Sequence, residues 1–262
     1  MTKVCLINPP DLHSLDPKLD ASLGLMYLSS TLKKGGHQVE ILDLAFYDKS
    51  QWLSTIAKHP ADLFGLTVYS VSVYESDIIS KLIKSVFPAS KIVWGGPHPT
   101  FCAPEVIAEF PEVDFIIFGE GEGTLLELCD KFSKPFQYGS IAGLGNRNGK
   151  FFFMSNQRGL IKDIDCIPPP DREALPLKSY TRKVFDLPST PLMTSRGCAY
   201  QCRFCVSHDF WNHPRFHSLE RVKLELNQIK NMGFEAYHCW DDTFTLNPKR
   251  NEITTSYCLH YT

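Results

Sequence analysis

Five runs in the first half of the chain are predominantly apolar and of β type, with no polar alternation: VCLIN (4–8), VEILDL (39–44), LFGLTVY (63–69), KIVWGG (91–96) and DFIIFG (114–119). A strand that shows one face to water alternates polar with apolar residues; a strand without that alternation must be covered on both faces. The intervening segments supply the cover. Leu25, Leu28 and Leu32 form a helical stripe that stops at Lys33-Lys34-Gly35-Gly36. Ile78, Ile79, Leu82, Ile83 and Val86 form another, broken by Pro88. Strands joined by helices in this way predict an α/β fold, a doubly wound parallel sheet of flavodoxin or Rossmann-like type over residues 1–132.

The texture then changes. Residues 133–188 carry Gly139, Gly143, Gly145 and Gly149, an aromatic run FFFM, and Pro168-Pro169-Pro170. Asn148-Gly149 before the aromatic run predicts a hairpin, within a segment that otherwise reads as a connector. A new unit begins at 189. PLMTS (191–195) predicts a short strand, residues 218–232 a helix with Val222, Leu226 and Ile229 on one face, and FEAYHCW (234–240) a second strand ending at Asp241-Asp242. Strand, loop, helix, strand is the opening of an α/β barrel or of another parallel sheet. A full barrel takes about 200 residues or more, and about 70 follow Pro191. NEITTSYCLHYT (251–262) has no apolar stripe, so the barrel is expected to stop after its second strand.

The net charge of −2 carries no basic excess of the kind that marks a nucleic-acid binder. The N-terminal apolar run is five residues long, too short for a signal peptide or a membrane span, which points to a cytoplasmic protein. Nine cysteines in such a chain imply reduced thiols or metal ligands rather than a disulfide framework. Cys5, Cys129, Cys166, Cys239 and Cys258 are scattered and fit buried or incidental thiols. Cys198, Cys202 and Cys205 are different: they crowd into TSRGCAYQCRFCVSHDF (194–210) and can converge if the loop folds back. Thiolates suit zinc or an iron–sulfur cluster. Zinc would need a fourth ligand from His208, His213 or Cys239, whereas a four-iron cluster on three cysteines leaves one iron open to a small molecule.

In the first domain a ligand belongs beyond the strand C-termini, where strand order reverses. The loops there are NPPDLHSLD, TVYSVS, GGPHPT and GEGEG. Gly95-Gly96, Gly119, Gly121 and Gly123 allow backbone to approach a large ligand closely. No GxGxxG or Walker pattern follows the first strand, which argues against a dinucleotide or ATP.

Taken in order, INPP, GLMYLSSTLKKGGHQVEILD, VWGGPHPT, FGEGE, IPPPDR and RGCAYQCRFC resemble the cobalamin-binding radical S-adenosylmethionine enzymes, from residue 3 to about residue 250. The resemblance implies that Cys198, Cys202 and Cys205 hold a [4Fe-4S] cluster whose open iron takes the amino and carboxylate groups of S-adenosylmethionine. Phe204 falls at the aromatic position of that motif, and Asp241 and Asp242 fall where the second barrel strand helps hold the amino group. Thr67, Val68, Tyr69, Gly95 and Gly96 would line the pocket for the cobalamin tail, with Gly119 and Glu120 nearby. The implied activity is formation of a 5′-deoxyadenosyl radical and methylation of an unactivated carbon of a small-molecule substrate, with flavodoxin or ferredoxin as electron donor. Tetrapyrrole ring cyclisation is the enzymatic alternative. A cobalamin carrier or sensor and a zinc-stapled binding protein are the non-enzymatic ones. One departure stands out. Family members that ligate cobalt from below use Asp-x-His-x-x-Gly, and here Asp16 replaces the glycine after Asp11 and His13, so His13 is not assigned as a ligand. His37, His59 and His98 are given no role beyond surface or pocket lining.

Overall fold

In β1 (Lys3–Asn8), Val4 and Leu6 point to one face of a sheet and Cys5 and Ile7 to the other, and all four are buried. β2 (Gln38–Asp43), at the sheet edge, buries Val39 and Leu42 but exposes Gln38 and Glu40, whereas β3 (Leu63–Thr67), β4 (Lys91–Gly95) and β5 (Phe115–Ile117) are largely apolar because both of their faces meet a core. They pair in parallel in the order β2-β1-β3-β4-β5, the doubly wound arrangement the sequence predicts. Helices α1 (Leu23–Lys34), α2 (Trp52–Ile56), α3 (Val73–Val86), α4 (Pro97–Phe101), α5 (Ala103–Glu109) and α6 (Gly121–Asp130) connect and cover the strands. Leu25 and Leu32 of α1 and Leu125 and Leu128 of α6 pack on the Val4 face. Trp52 of α2, Ile79 and Ile83 of α3 and Val106 of α5 pack on the Ile7 face. Each fully buried aliphatic or Phe side chain contributes roughly 1.5–3 kcal/mol. The two buried indole N–H groups are satisfied: Trp52 Nε1 donates to Tyr47 O at 3.1 Å and Trp94 Nε1 to Ser80 Oγ at 3.0 Å.

The structure is a computed structural model that describes residues 1–149, 151–249 and 252. The expectation for 251–262, residue 252 apart, and the reading of Cys258 lie outside those residues. Two compact units emerge among the described residues: those within 1–18, 24–159 and 170–176, and those within 19–23, 160–169 and from 177 onward. The expected connector at 133–188 is therefore divided between them. Its hairpin, β6 (Leu144–Asn148) and β7 (Phe151–Met154), is no separate element, because β6 pairs antiparallel with β5, Ile116 opposite Gly145. The physical reason is the row of backbone donors and acceptors that β5 would otherwise leave open at the sheet edge. The first unit's sheet thus has seven strands among the described residues.

The second unit contains β8 (Lys183–Val184), β9 (Leu187–Leu192), β10 (Ser195–Arg196), β11 (Arg215–Phe216) and β12 (Ala236–Cys239). Its helices are α7 (Ser207–Trp211) and α8 (Leu219–Asn231). β9 and β12 pair in parallel from Ser189–Ala236 to Leu192–Cys239, with α8 in the crossover, which is a barrel-type βαβ opening. The expected strand 191–195 is split: β9 stops at Leu192, and Ser195 and Arg196 pair instead with Phe216 and Arg215. α8 begins where Ser218 Oγ accepts the Arg221 N–H at 3.1 Å, and it buries Val222, Leu226 and Ile229. No helix among the described residues is long and apolar enough to cross a membrane.

Candidate functional site

The cysteine loop, residues 197–206, runs from β10 to α7 and begins on a residue that only glycine can supply. Gly197 has φ +95°, and a Cβ there would stand 2.7 Å from the carbonyl oxygen of His213. The loop is fastened by the run that follows β12. Asp242 accepts the Gly197 N–H at 3.0 Å with one carboxylate oxygen and a short hydrogen bond from the Ser207 hydroxyl with the other. One side chain therefore spans both ends of the loop. Asp241 accepts the Thr194 N–H at 2.6 Å, the Thr194 hydroxyl, and the Ser195 hydroxyl at 2.7 Å. These bonds turn the backbone out of the sheet after Leu192. Thr243 Oγ1 lies 3.1 Å from Cys198 Sγ, and the Tyr200 N–H donates to the same sulfur at 3.5 Å.

The three cysteines share this loop as free thiols. Cys198 is half-buried, whereas Cys202 and Cys205 are exposed and Phe204 is 92% exposed. The Cys205 N–H donates to Cys202 O at 3.0 Å, closing the turn between them. Among the described residues no three His, Cys, Asp or Glu side chains are grouped as a metal cage. Thr243 and Tyr200 contact Cys198, while Cys202 and Cys205 are exposed. As donors, three thiols on an accessible turn match iron–sulfur or zinc chemistry.

The guanidinium groups of Arg196 and Arg215 each lie 5.6 Å from the centre of the Trp211 ring. Arg215 also donates to Ile161 O at 2.6 Å, and buried Arg221 donates to Ile167 O at 2.6 Å while pairing with Glu225 at 2.8 Å. Asp165 meets His217 Nδ1 at 2.8 Å and accepts the Ser218 N–H. Burial pushes buried His217 below the ordinary imidazole value, even though Asp165 pulls it upward. Residues 160–169 are thereby tied to α8 and β11.

In the first unit, Thr67, Val68, Tyr69, Gly95, Gly96, Gly119 and Glu120 all sit at or just past the C-terminal ends of β3, β4 and β5. The structure brings these expected pocket residues to one sheet edge and stitches their loops together. The Val68 N–H donates to Gly95 O at 2.8 Å, the His98 N–H to Val68 O at 3.1 Å and the Gly119 N–H to Thr100 Oγ1 at 3.1 Å. Gly96, at φ +101°, has no room of its own: a Cβ would lie 3.1 Å from Val68 O. Gly95 differs, because a Cβ there would meet only Ile117, at 3.8 Å or beyond. Its open side is the one that could admit a ligand. Tyr69 is 48% exposed beside this edge. Burial holds His98 below the ordinary imidazole value against the pull of Glu105 and Glu109, and its Nδ1 lies 3.1 Å from Ser70 Oγ. His13 is exposed, in a turn where its N–H donates to the Asp11 carboxylate at 2.9 Å.

Sequence reasoning missed Thr194, Ser195, Ser207 and Thr243 as parts of the cysteine loop's support, and Thr100 at the other edge. The one local signal was the threonine directly after Asp241-Asp242 in WDDTFTLNP.

A family model described as "B12 binding domain" matches residues 21–129. The chain is 36% identical over 261 residues to an uncharacterized methyltransferase of Pyrococcus horikoshii, covering 95% of this chain and 55% of that protein. It is 25% identical to the anaerobic magnesium-protoporphyrin IX monomethyl ester cyclase of Synechocystis, covering 94% of this chain and 50% of that one. The chain thus spans about half the length of the curated relatives it matches. Among solved structures, the radical S-adenosylmethionine methyltransferase TsrM of Kitasatospora setae superposes with a TM-score of 0.77 at 21% identity, over 100% of this chain and 51% of that one. That likeness is one of fold.

Proposed function

Because the chain belongs to the cobalamin-binding radical S-adenosylmethionine family, we propose that it is the cofactor-holding part of a methyltransferase acting on an unactivated carbon of a small molecule. The observation that carries this reading is the placement of Cys198, Cys202 and Cys205 on the loop that follows β10, fastened by Asp242 and Thr243 from the run after β12. In that reading the three thiolates hold a [4Fe-4S] cluster and Phe204 flanks S-adenosylmethionine. The C-terminal edge of β3, β4 and β5 holds cobalamin, with Gly95 giving the nucleotide tail its clearance and Thr67, Val68, Tyr69, Gly96, Gly119 and Glu120 around it. Bound in these places, the cluster and S-adenosylmethionine supply a 5′-deoxyadenosyl radical and cobalamin supplies the methyl group.

What the chain's own residues do is hold and orient. Asp242 and Gly197 set where the loop starts, Ser207 sets where it ends, and Arg196 and Arg215 lie against the Trp211 ring. Asp241 and Asp242 stand at the second strand's end, where the resemblance puts a contact to S-adenosylmethionine. Their carboxylates already accept bonds from Thr194, Ser195, Gly197 and Ser207, which supports a part in shaping that contact. A flavodoxin or ferredoxin would deliver the electron. Similarity to the Synechocystis cyclase favours ring closure as the second reading.

The test is anaerobic reconstitution of the full chain with iron, sulfide and cobalamin. Iron uptake with broad absorption near ~400 nm, as thiolate-held iron–sulfur centres give, together with stoichiometric cobalamin, supports the proposal. Stoichiometric zinc without iron overturns it, and cobalamin uptake without cleavage of S-adenosylmethionine supports a carrier instead.

A further inference from the structure

We infer that Thr243 tunes the reduction potential of the iron–sulfur centre by donating its hydroxyl proton to the Cys198 sulfur; the inference rests on the cluster reading above. The two atoms are 3.1 Å apart, close for a hydrogen bond that ends on sulfur. Between a thiol and a hydroxyl either atom could donate. A cysteine bound to iron is a thiolate with no proton to give, so the hydroxyl becomes the donor.

The contact is built by elements distant in sequence. Asp241 grips Thr194 and Ser195, and Asp242 grips Gly197 and Ser207, so the residue after each grip, Thr243 on one side and Cys198 on the other, is brought into register. Thr243 is also anchored on its far side, where its carbonyl accepts the Leu246 N–H at 3.3 Å. A β-branched side chain has few χ1 choices, so a fixed backbone fixes the hydroxyl. Cys198 is the sulfur on which such a bond counts, because it is half-buried while Cys202 and Cys205 are exposed, and a hydrogen bond is stronger where water competes less. The Tyr200 N–H at 3.5 Å is a second, weaker donor to the same atom.

The consequence is electrostatic. A single electron from a low-potential donor adds one negative charge, shared between iron and the sulfurs around it. An O–H dipole aimed at a thiolate sulfur stabilises that charge and raises the potential. Thr243 therefore makes the reduced state easier to reach.

The experiment uses the full chain, reconstituted anaerobically, as wild type, Thr243→Val and Thr243→Ser. Iron and sulfide per chain are measured first, then the midpoint potential by dithionite titration followed by electron paramagnetic resonance. The expected result is full iron in all three, a more negative potential in the valine variant, and a near-wild-type potential in the serine variant. A valine variant with full iron and an unshifted potential overturns the inference. So does a valine variant that takes up no iron, since the hydroxyl would then serve assembly of the loop rather than potential. Absence of a cluster in the wild type is a different failure, that of the cluster reading itself, and is seen before any variant is titrated.

Discussion

Gly197→Ala is the smallest change that asks whether the cysteine loop has one required shape. At φ +95° the backbone is outside what an L side chain adopts readily, and forcing a residue into the left-handed region costs roughly 1–2 kcal/mol. The added methyl would also lie 2.7 Å from His213 O and 3.0 Å from Trp211 Cβ. The nearest of these neighbours is backbone, so the loop rather than a side chain has to move, and over-packing of this kind costs about 1–3 kcal/mol. Together the two effects amount to about 2–5 kcal/mol against the native loop. The movement also pulls the Gly197 N–H from Asp242. At 1.4 kcal/mol per factor of ten, iron affinity should fall by about 30-fold or more. The assay is an iron titration of the anaerobic apoprotein followed by absorption, with cobalamin binding measured in parallel to show that the first unit is intact. Gly139→Ala is the control, because a Cβ there meets nothing within 4 Å. Iron affinity in Gly197→Ala within threefold of wild type would refute the reasoning, and so would an equal loss in Gly139→Ala.

Replacing any one of Cys198, Cys202 or Cys205 with alanine should abolish the absorption near ~400 nm. Cys166→Ala should leave it, although Cys166 is as exposed as two of the three. Gly95→Ala should fold normally, because its Cβ meets only Ile117 at 3.8 Å or beyond, yet weaken cobalamin binding in equilibrium dialysis. Gly96→Ala should instead lower the melting temperature, since its clash is with Val68 of the same unit. His217 is held below its ordinary value by burial, so on acidification the unfolded chain takes up this proton first. Stability contributed by neutral His217 is complete above about pH 6.5 and falls as pH drops toward the lower folded-state value. Denaturant titrations between pH 7 and pH 5 should show that loss in wild type and a flatter profile in His217→Gln.

The apolar runs of β1, β3, β4 and β5 were legible because burial on both faces writes itself into successive residues of a strand, a property of a few consecutive side chains. The crowding of Cys198, Cys202 and Cys205 was legible for the same reason: the three thiols are near neighbours in the chain. α8 announced itself through Val222, Leu226 and Ile229, again a local period. Those patterns determined the doubly wound first unit, the strand–helix–strand opening of the second, and the gathering of three thiols on one loop. Where the patterns stop, pairing at a distance takes over. β6 joins β5 rather than standing in a connector because an open sheet edge there needed partners, and no residue in LGNRN names that partner. Asp242 reaches Gly197 across 45 residues and Asp241 reaches Thr194 across 47. In sequence those aspartates resemble any strand-ending turn. Only the parallel pairing of β9 with β12 puts them against the loop, because it carries the two strand ends to the same edge of the sheet, where one carboxylate can hold both ends of the cysteine loop and the next residue can meet its first sulfur.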